Sequence, residues 1–228
     1  MFPYMIGKDN VGAYRVAFEY SLRNFASKDP VEMANNSGST FDSESSTIIM
    51  NSLGQWINVK FPEGIVTFRN SSHLPVWYWR LVILNYLYRA DNTPISNRLI
   101  SYRELEDGQV FYPAFLRESI KPLIKKLSLE PAARIKQACL KLTAHIQENA
   151  DICAVFDFLP RFPVTVKIWL NDEEIGGSAN ILFDASANCY LHTEDIAAAG
   201  NLVSYFLIKQ YEMMFELDKN KSIAEPYE

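Results

Sequence analysis

The polar residues best suited to bind a ligand follow a predicted strand near the end of the chain and precede a predicted helix. Asn180 and Asp184 bound the apolar strand, Ser186 follows it, and Thr193 stands where the helix begins. Backbone amides at a helix N-terminus favour anions. These four residues therefore predict a site for a small polar or anionic ligand. Alternatively, Asp184 and Ser186 close a turn by bonding their own backbone, and Thr193 only caps the helix.

A second candidate anion contact lies in an irregular, aromatic-rich stretch that contains Arg98 and Arg103. Guanidinium groups bind planar anions and stack on aromatic rings. These arginines could hold a carboxylate or a phosphate, or they could pair with neighbouring acids such as Glu104. If Asp184 were to act as a general base beside Arg103 as anion contact, the chain would be an unrecognised enzyme.

Catalytic and metal signatures are scarce. The chain has no P-loop, no G-x-G-x-x-G, no H-E-x-x-H and no G-x-S-x-G motif. Cys189 and His192 have a C-x-x-H spacing, but zinc sites usually present two such pairs, so they are only weak metal candidates. We therefore predict no metal, leave the cofactor unknown, and favour a binding protein without its own catalysis.

Composition restricts the class of protein. Among 228 residues, 48% are hydrophobic and 13% are aromatic, and the formal net charge is −5. Such a chain can bury a large core. It lacks the positive field that drives binding to nucleic acid or to anionic membranes, so neither partner is expected. The most apolar stretch, 74–88, is shorter than the ~20 residues that a membrane span needs.

Cellular location is predicted from the start of the chain and from its cysteines. The first residues have no basic and apolar secretory pattern. Three cysteines are too few, and odd in number, for a disulfide framework. We expect a soluble cytoplasmic protein with free thiols.

The periodicity predicts antiparallel hairpins separated by blocks of about five to six helices, which is the pattern of a single α+β domain. We expect this domain over 1–218, followed by a polar tail at 219–228. The expected strands are 47–50, 56–61, 65–68, 153–158, 164–170 and 180–184, and the expected helices are 14–25, 30–35, 74–89, 113–127, 131–150 and one from Thr193.

Several segments of the chain resemble an uncharacterised prokaryotic family, domain of unknown function 3786. The resemblance rests on Ser178–Ala187 with Tyr190-Leu191 and Thr193–Asp195, and on Phe61–Gly64 and Tyr112–Phe115. The family has no established activity. Some relatives are fused to iron–sulfur modules or lie beside corrinoid and one-carbon proteins, which implies an accessory partner role as a further alternative.

The chain departs from that family at two points. It has no cysteine run with the spacing of cluster ligands, so the iron–sulfur module is not carried over. His192 stands where relatives have proline before Thr-Glu-Asp, so a role for His192 would be particular to this chain. The leading hypothesis is a binding or accessory protein that presents the loop 180–195 to a small molecule or a protein partner.

Overall fold

The computed structural model describes residues 1–172 and 174–215, so the predicted tail at 219–228 lies outside the described residues. The helices are α1 (Arg15–Ala26), α2 (Pro30–Ser37), α3 (Trp77–Arg89), α4 (Gly108–Phe115), α5 (Lys121–Leu127), α6 (Ala132–Lys141) and α7 (Thr193–Phe215). The strands are β1 (Ile6–Gly7), β2 (Thr40–Asp42), β3 (Thr47–Ser52), β4 (Gln55–Lys60), β5 (Ile65–Phe68), β6 (Leu74–Pro75), β7 (Leu99–Ser101), β8 (His145–Gln147), β9 (Ile152–Leu159), β10 (Phe162–Trp169) and β11 (Ser178–Asp184).

The first sheet has the antiparallel order β2-β3-β4-β5. Alternation along β4 buries Ile57 and Val59, as the pattern predicts. The β3–β4 hairpin closes through Leu53 and Gly54, both at positive φ, a backbone conformation that glycine adopts readily. This sheet covers the α2 end of the molecule.

The second sheet has the antiparallel order β7-β11-β10-β9-β8. Val164 on β10 lies opposite Phe183 on β11, and both are fully buried. The edge strand β7 comes from the stretch whose sequence pattern is irregular. Its pairing with β11 brings Ser96 to the end of β11, where Asp184 accepts its hydrogen bonds. The α+β class and the single compact domain are confirmed.

Helices α3 and α7 run through the centre of the molecule. The nearly uniform apolarity of α3 predicts a buried helix, and residues 82–87 of α3 are all buried. The helix begins at Trp77 and not at Leu74, because Leu74 and Pro75 pair with β1 as a short strand. In the part of the chain that the structure describes, no helix is both long and apolar enough to cross a bilayer.

Two further helix boundaries differ from the prediction. The helix predicted over 131–150 ends at Lys141, because Thr143 takes a positive φ and the chain returns as β8. The helix predicted from Pro113 begins at Gly108 instead. Segments α4 and α5 continue into each other through a π-helical turn at Leu116–Ile120, which we call the π turn.

Candidate functional site

A cleft of about 1210 Å³ is lined by α1, α3, α4, the π turn and the first turns of α7. We call it the aromatic cleft, because its wall includes Tyr14, Tyr20, Trp77, Tyr88, Phe111 and Phe115. Ligand sites are typically concave and mostly apolar, with a few convergent polar groups. The aromatic cleft has this composition.

Helices α1 and α3 supply one wall of the aromatic cleft. Trp77 and Leu81 are one helical turn apart on α3, and both line the cleft. Tyr14, which precedes α1, stacks on Trp77 with ring centroids 4.1 Å apart. Since Tyr14 remains 52% exposed, this pair forms part of the rim.

A chain of polar side chains crosses from α1 through α3 to α7 at the cleft. Asn85 Nδ2 donates to Asp195 Oδ1 at 2.8 Å. The hydroxyl of Ser21 lies 2.5 Å from Asn85 Oδ1 and donates to it. All three residues line the cleft. The amide of Asn85 is therefore oriented by one neighbour and presents its NH₂ group to the carboxyl of the other.

Two titratable groups that line the cleft have shifted pKa values. Burial raises the pKa of Asp195 to about 6; Glu194 adds to the rise, while the Asn85 hydrogen bond and Arg89 oppose it. Burial and the charge of Arg89 lower the pKa of His192. Arg89 Nη1 lies 2.5 Å from His192 Nε2, so a neutral imidazole accepts from the guanidinium. Perturbed pKa values that gather in a cleft mark candidate functional sites.

The opposite end of the cleft has a buried hydroxyl without a partner. Ser119, on the π turn, is 1% exposed and lines the cleft. Among residues 1–172 and 174–215, its Oγ finds no hydrogen-bond partner. The carbonyls of Glu118 and Ser119 are held by Asn201 and Ser204 of α7 at 2.8 and 2.7 Å. The π turn is therefore anchored to α7 through its backbone carbonyls, while the Ser119 hydroxyl is buried without a partner.

Asp184 lies outside the aromatic cleft and is 4% exposed. Its Oδ1 accepts from the backbone N–H and the hydroxyl of both Ser96 and Ser186, at 2.6 to 2.9 Å. Burial alone would raise the pKa of Asp184, but these four hydrogen bonds outweigh it and lower the pKa. The carboxylate ties the end of β11 to the preceding loop. This geometry does not favour a general base.

Two more residues of the predicted loop site are also held internally. Asn180 Oδ1 accepts from the N–H of Ile181 at 2.9 Å. Thr193 is buried, donates to the Glu106 carbonyl at 2.5 Å and accepts from Asn188 Nδ2 at 3.1 Å. Asp184 and Ser186 thus bond each other across a turn, as in the alternative, whereas the Thr193 hydroxyl contacts Glu106 and Asn188.

The two predicted arginines lie on the surface and do not join Asp184 in a cleft. Arg98 and Arg103 are both exposed. The guanidinium of Arg103 stacks over the Tyr112 ring, 3.9 Å from its centroid. Since β7 pairs Leu99 with Asp184 and continues away from it, Arg103 follows the far end of that strand.

The weak metal candidates are separated by their partners. Cys189 is half-buried on a 3₁₀ turn, and His192 contacts the guanidinium of Arg89, whose positive charge disfavours a cation at the imidazole. Within the described ranges, no three His, Cys, Asp or Glu side chains are placed to share a metal. All three cysteines are free.

The sequence patterns do not single out Asp195 as a candidate site residue. A signal was present in α3, where Asn85 is the polar residue in an otherwise apolar run from Leu81 to Leu87. A buried amide needs a hydrogen-bonding partner. Its partner could not be identified from the sequence.

Comparison with known proteins identifies a family but no function. The family model described as domain of unknown function (DUF3786) matches residues 29–205. That span includes both Asn85 and Asp195, whereas Ser21 precedes it. No curated protein and no solved structure matches the chain.

Proposed function

We propose that this chain, which belongs to the family described as domain of unknown function (DUF3786), is a non-catalytic binding protein. It would hold an organic ligand in the aromatic cleft. The observation that carries this proposal is the aromatic wall of the cleft beside the hydrogen-bonded side chains of Ser21, Asn85 and Asp195. Asp195 is half-buried there, and burial raises its pKa to about 6.

We place the ligand at the C-terminal end of the predicted loop 180–195. His192, Glu194 and Asp195 belong to the loop 180–195 and line the cleft, whereas Asn180, Asp184 and Ser186 do not. The side chains that face the cleft can contact a ligand without breaking the hydrogen bonds of the loop. The proposed binding surface is thus the cleft together with the residues 192–195.

Two further parts of the functional hypothesis remain proposals. We propose a cytoplasmic location, which the three free cysteines support because disulfides are rare in reducing compartments. The accessory role beside iron–sulfur or corrinoid proteins stays a prediction. The enzymatic alternative with Asp184 and Arg103 receives no support from their placement.

A neutral aromatic probe tests whether the cleft binds ligands. We expect 4-biphenylmethanol to bind and to shift the indole N–H resonance of Trp77 in NMR spectra. Ala198 lines the cleft, so Ala198→Trp fills it and abolishes binding. Ala133 is exposed on α6 outside the cleft, so Ala133→Trp adds the same ring and leaves binding intact. Equal binding by both variants, or no binding by the unaltered protein, contradicts the proposal.

A further inference from the structure

We propose that the ligand of the aromatic cleft is an organic cation, whose ammonium group pairs with Asp195 beside the Tyr88 ring and whose aromatic part lies against the wall of the cleft. This inference rests on the proposed function, because it specifies what the cleft binds. It follows from the charges that line the cleft, from the partners of Asp195 and from the aromatic wall.

The charged residues that line the cleft are mostly acidic. The described residues that line the cleft include three carboxylic acids, Glu118, Glu194 and Asp195, but only one guanidinium, that of Arg23. The lowered pKa of His192 favours its neutral form. Glu118 also contacts Arg117 at 2.6 Å, yet that pair is exposed to solvent, where ion pairs are weak. The cleft thus favours a positive ligand over a negative one.

Asp195 has no salt-bridge partner among the described residues. Its carboxyl accepts from the neutral amide of Asn85. Arg89 is close enough to influence it electrostatically, but its Nη1 is directed to His192. A buried carboxyl group without a paired charge is costly to ionise. An ammonium group from a ligand would supply the missing charge.

The aromatic rings of the cleft wall also favour a cation. Ammonium groups are attracted to the faces of Trp and Tyr rings, by about 0.5–2 kcal/mol for each contact according to its desolvation. Burial and the charge of Asp195 raise the pKa of Tyr88, so these two groups lie close together. Tyr20, Trp77 and Tyr78 line the same cleft. Aromatic cages bind organic ammonium ions in other proteins. A carboxylate ligand would meet neither favourable rings nor a surplus of positive charge.

Three probes of the same shape test the inference by isothermal titration calorimetry at pH 7.5. They are 4-biphenylmethylamine, the neutral 4-biphenylmethanol and the anion biphenyl-4-carboxylate. We expect the amine to bind about tenfold more tightly than the alcohol, since one desolvated cation–π and carboxylate contact is of this size, and the carboxylate to bind most weakly. If the alcohol binds as tightly as the amine, the cation inference is overturned and the proposed function stands. If no probe binds, the proposed function fails.

Matched variants locate the preference for the amine. Asp195→Asn is expected to remove that preference, measured as the ratio of the dissociation constants of the alcohol and the amine. Glu148 is an exposed carboxylate outside the cleft, so Glu148→Gln is expected to keep the preference. A preference that survives in Asp195→Asn overturns the assignment to Asp195.

A proton count covers the case in which Asp195→Asn does not fold. At pH 6, calorimetry in buffers of different ionisation enthalpy should show that the amine releases up to about half a proton and that the alcohol releases none, because a bound cation lowers the pKa of the carboxyl. Equal proton release by both probes overturns the inference. The groups that interact with Asp195 in this experiment are Asn85, Tyr88, Arg89 and Glu194. Ser21 contacts Asn85, and His192 contacts Arg89.

Discussion

Asn85 on α3 and Asp195 on α7 are 110 positions apart in the chain and share a hydrogen bond of 2.8 Å. Both residues line the aromatic cleft. The amide N–H donates to the carboxyl oxygen and lowers its pKa, against the larger effect of burial. This contact joins the two central helices where the cleft meets the core. The hydrogen bond also makes Asp195 easier to ionise than it would be through burial alone.

Removal of the Asn85 amide should raise the pKa of Asp195 further. Asn85→Leu keeps the approximate volume but removes the donor, so the carboxyl keeps its burial without its hydrogen bond. We expect an apparent pKa above about 6, measured by ¹³C NMR titration of the aspartate carboxyl groups. Asp195→Asn identifies the resonance. An unchanged pKa in Asn85→Leu would show that the amide does not stabilise the ionised carboxyl.

Asp195 should make stability depend on pH in a direction opposite to that of most carboxylates. Its pKa rises from 3.8 to about 6 on folding, so the folded state retains a proton that the unfolded chain has lost. Stability therefore falls as pH rises through this interval, by at most about 3 kcal/mol, and then stays level. Urea unfolding should show Asp195→Asn close to the unaltered protein below pH 4 and more stable than it at pH 7.

The control for this pH dependence is Glu148→Gln, which removes an exposed carboxylate. Its difference in unfolding free energy from the unaltered protein should remain small across the same range. If Asp195→Asn gives an equally flat difference, the carboxyl is ionised in the folded state without penalty.

Asp184 should be important for stability and unimportant for the cleft. Asp184→Ala removes the acceptor of four hydrogen bonds from Ser96 and Ser186. We expect a loss of about 2–3 kcal/mol in unfolding free energy at pH 7, because buried donors lose a charged acceptor. Since the pKa of Asp184 is lowered on folding, this contribution is present above its unfolded value and disappears as pH falls through the folded value.

The matched measurement for Asp184→Ala is binding of 4-biphenylmethanol at a temperature where the variant remains folded. Binding is expected to be unchanged, because Asp184 does not line the cleft. Loss of binding without loss of stability would return the ligand to the predicted loop site.

Gly200 on α7 is expected to control the position of the Phe115 ring, which lines the cleft. A Cβ atom at Gly200 would lie 2.7 Å from Phe115 Cε2 and 3.3 Å from Phe183 Cζ. Gly200→Ala should therefore destabilise the protein by about 1–3 kcal/mol through overpacking. In Gly176→Ala, the new atom would be 3.9 Å from the Asn171 side chain, so its unfolding free energy should hardly change. Equal values for the two variants would contradict this reading of the α7 contact.

Ser119 and Ser204 form a pair of variants with opposite expected effects. Ser119→Ala removes a buried hydroxyl that has no partner among the described residues, so stability should stay level or rise by up to about 1 kcal/mol. Ser204→Ala removes the donor to the Ser119 carbonyl and should lower stability by about 1 kcal/mol. Chemical denaturation measures both. A large loss in Ser119→Ala would mean that its hydroxyl has a structural partner.

Much of the secondary structure follows from local patterns in the sequence. The alternation of Ile57 and Val59 identifies a strand, and both side chains are buried. Asp29 before Pro30 identifies the start of α2, and its side chain accepts from two backbone N–H groups there. Periodicity and capping depend on residues within one or two turns of each other. This is why the sequence alone is sufficient for these elements.

The site depended on contacts that local patterns do not specify. The sequence shows Asn85 as a polar residue in an apolar helix and Asp195 as an acid in a first helical turn, but only the packing of α3 against α7 pairs them. The pairing of β7 with β11 likewise brings Ser96 to Asp184, which makes a predicted ligand contact an internal acceptor. The sequence by itself thus determined the long helices, the hairpin strands and the α+β class, because neighbouring residues decide them. The tertiary structure decided which polar groups face a cleft, because burial and pairing arise between segments far apart in the chain.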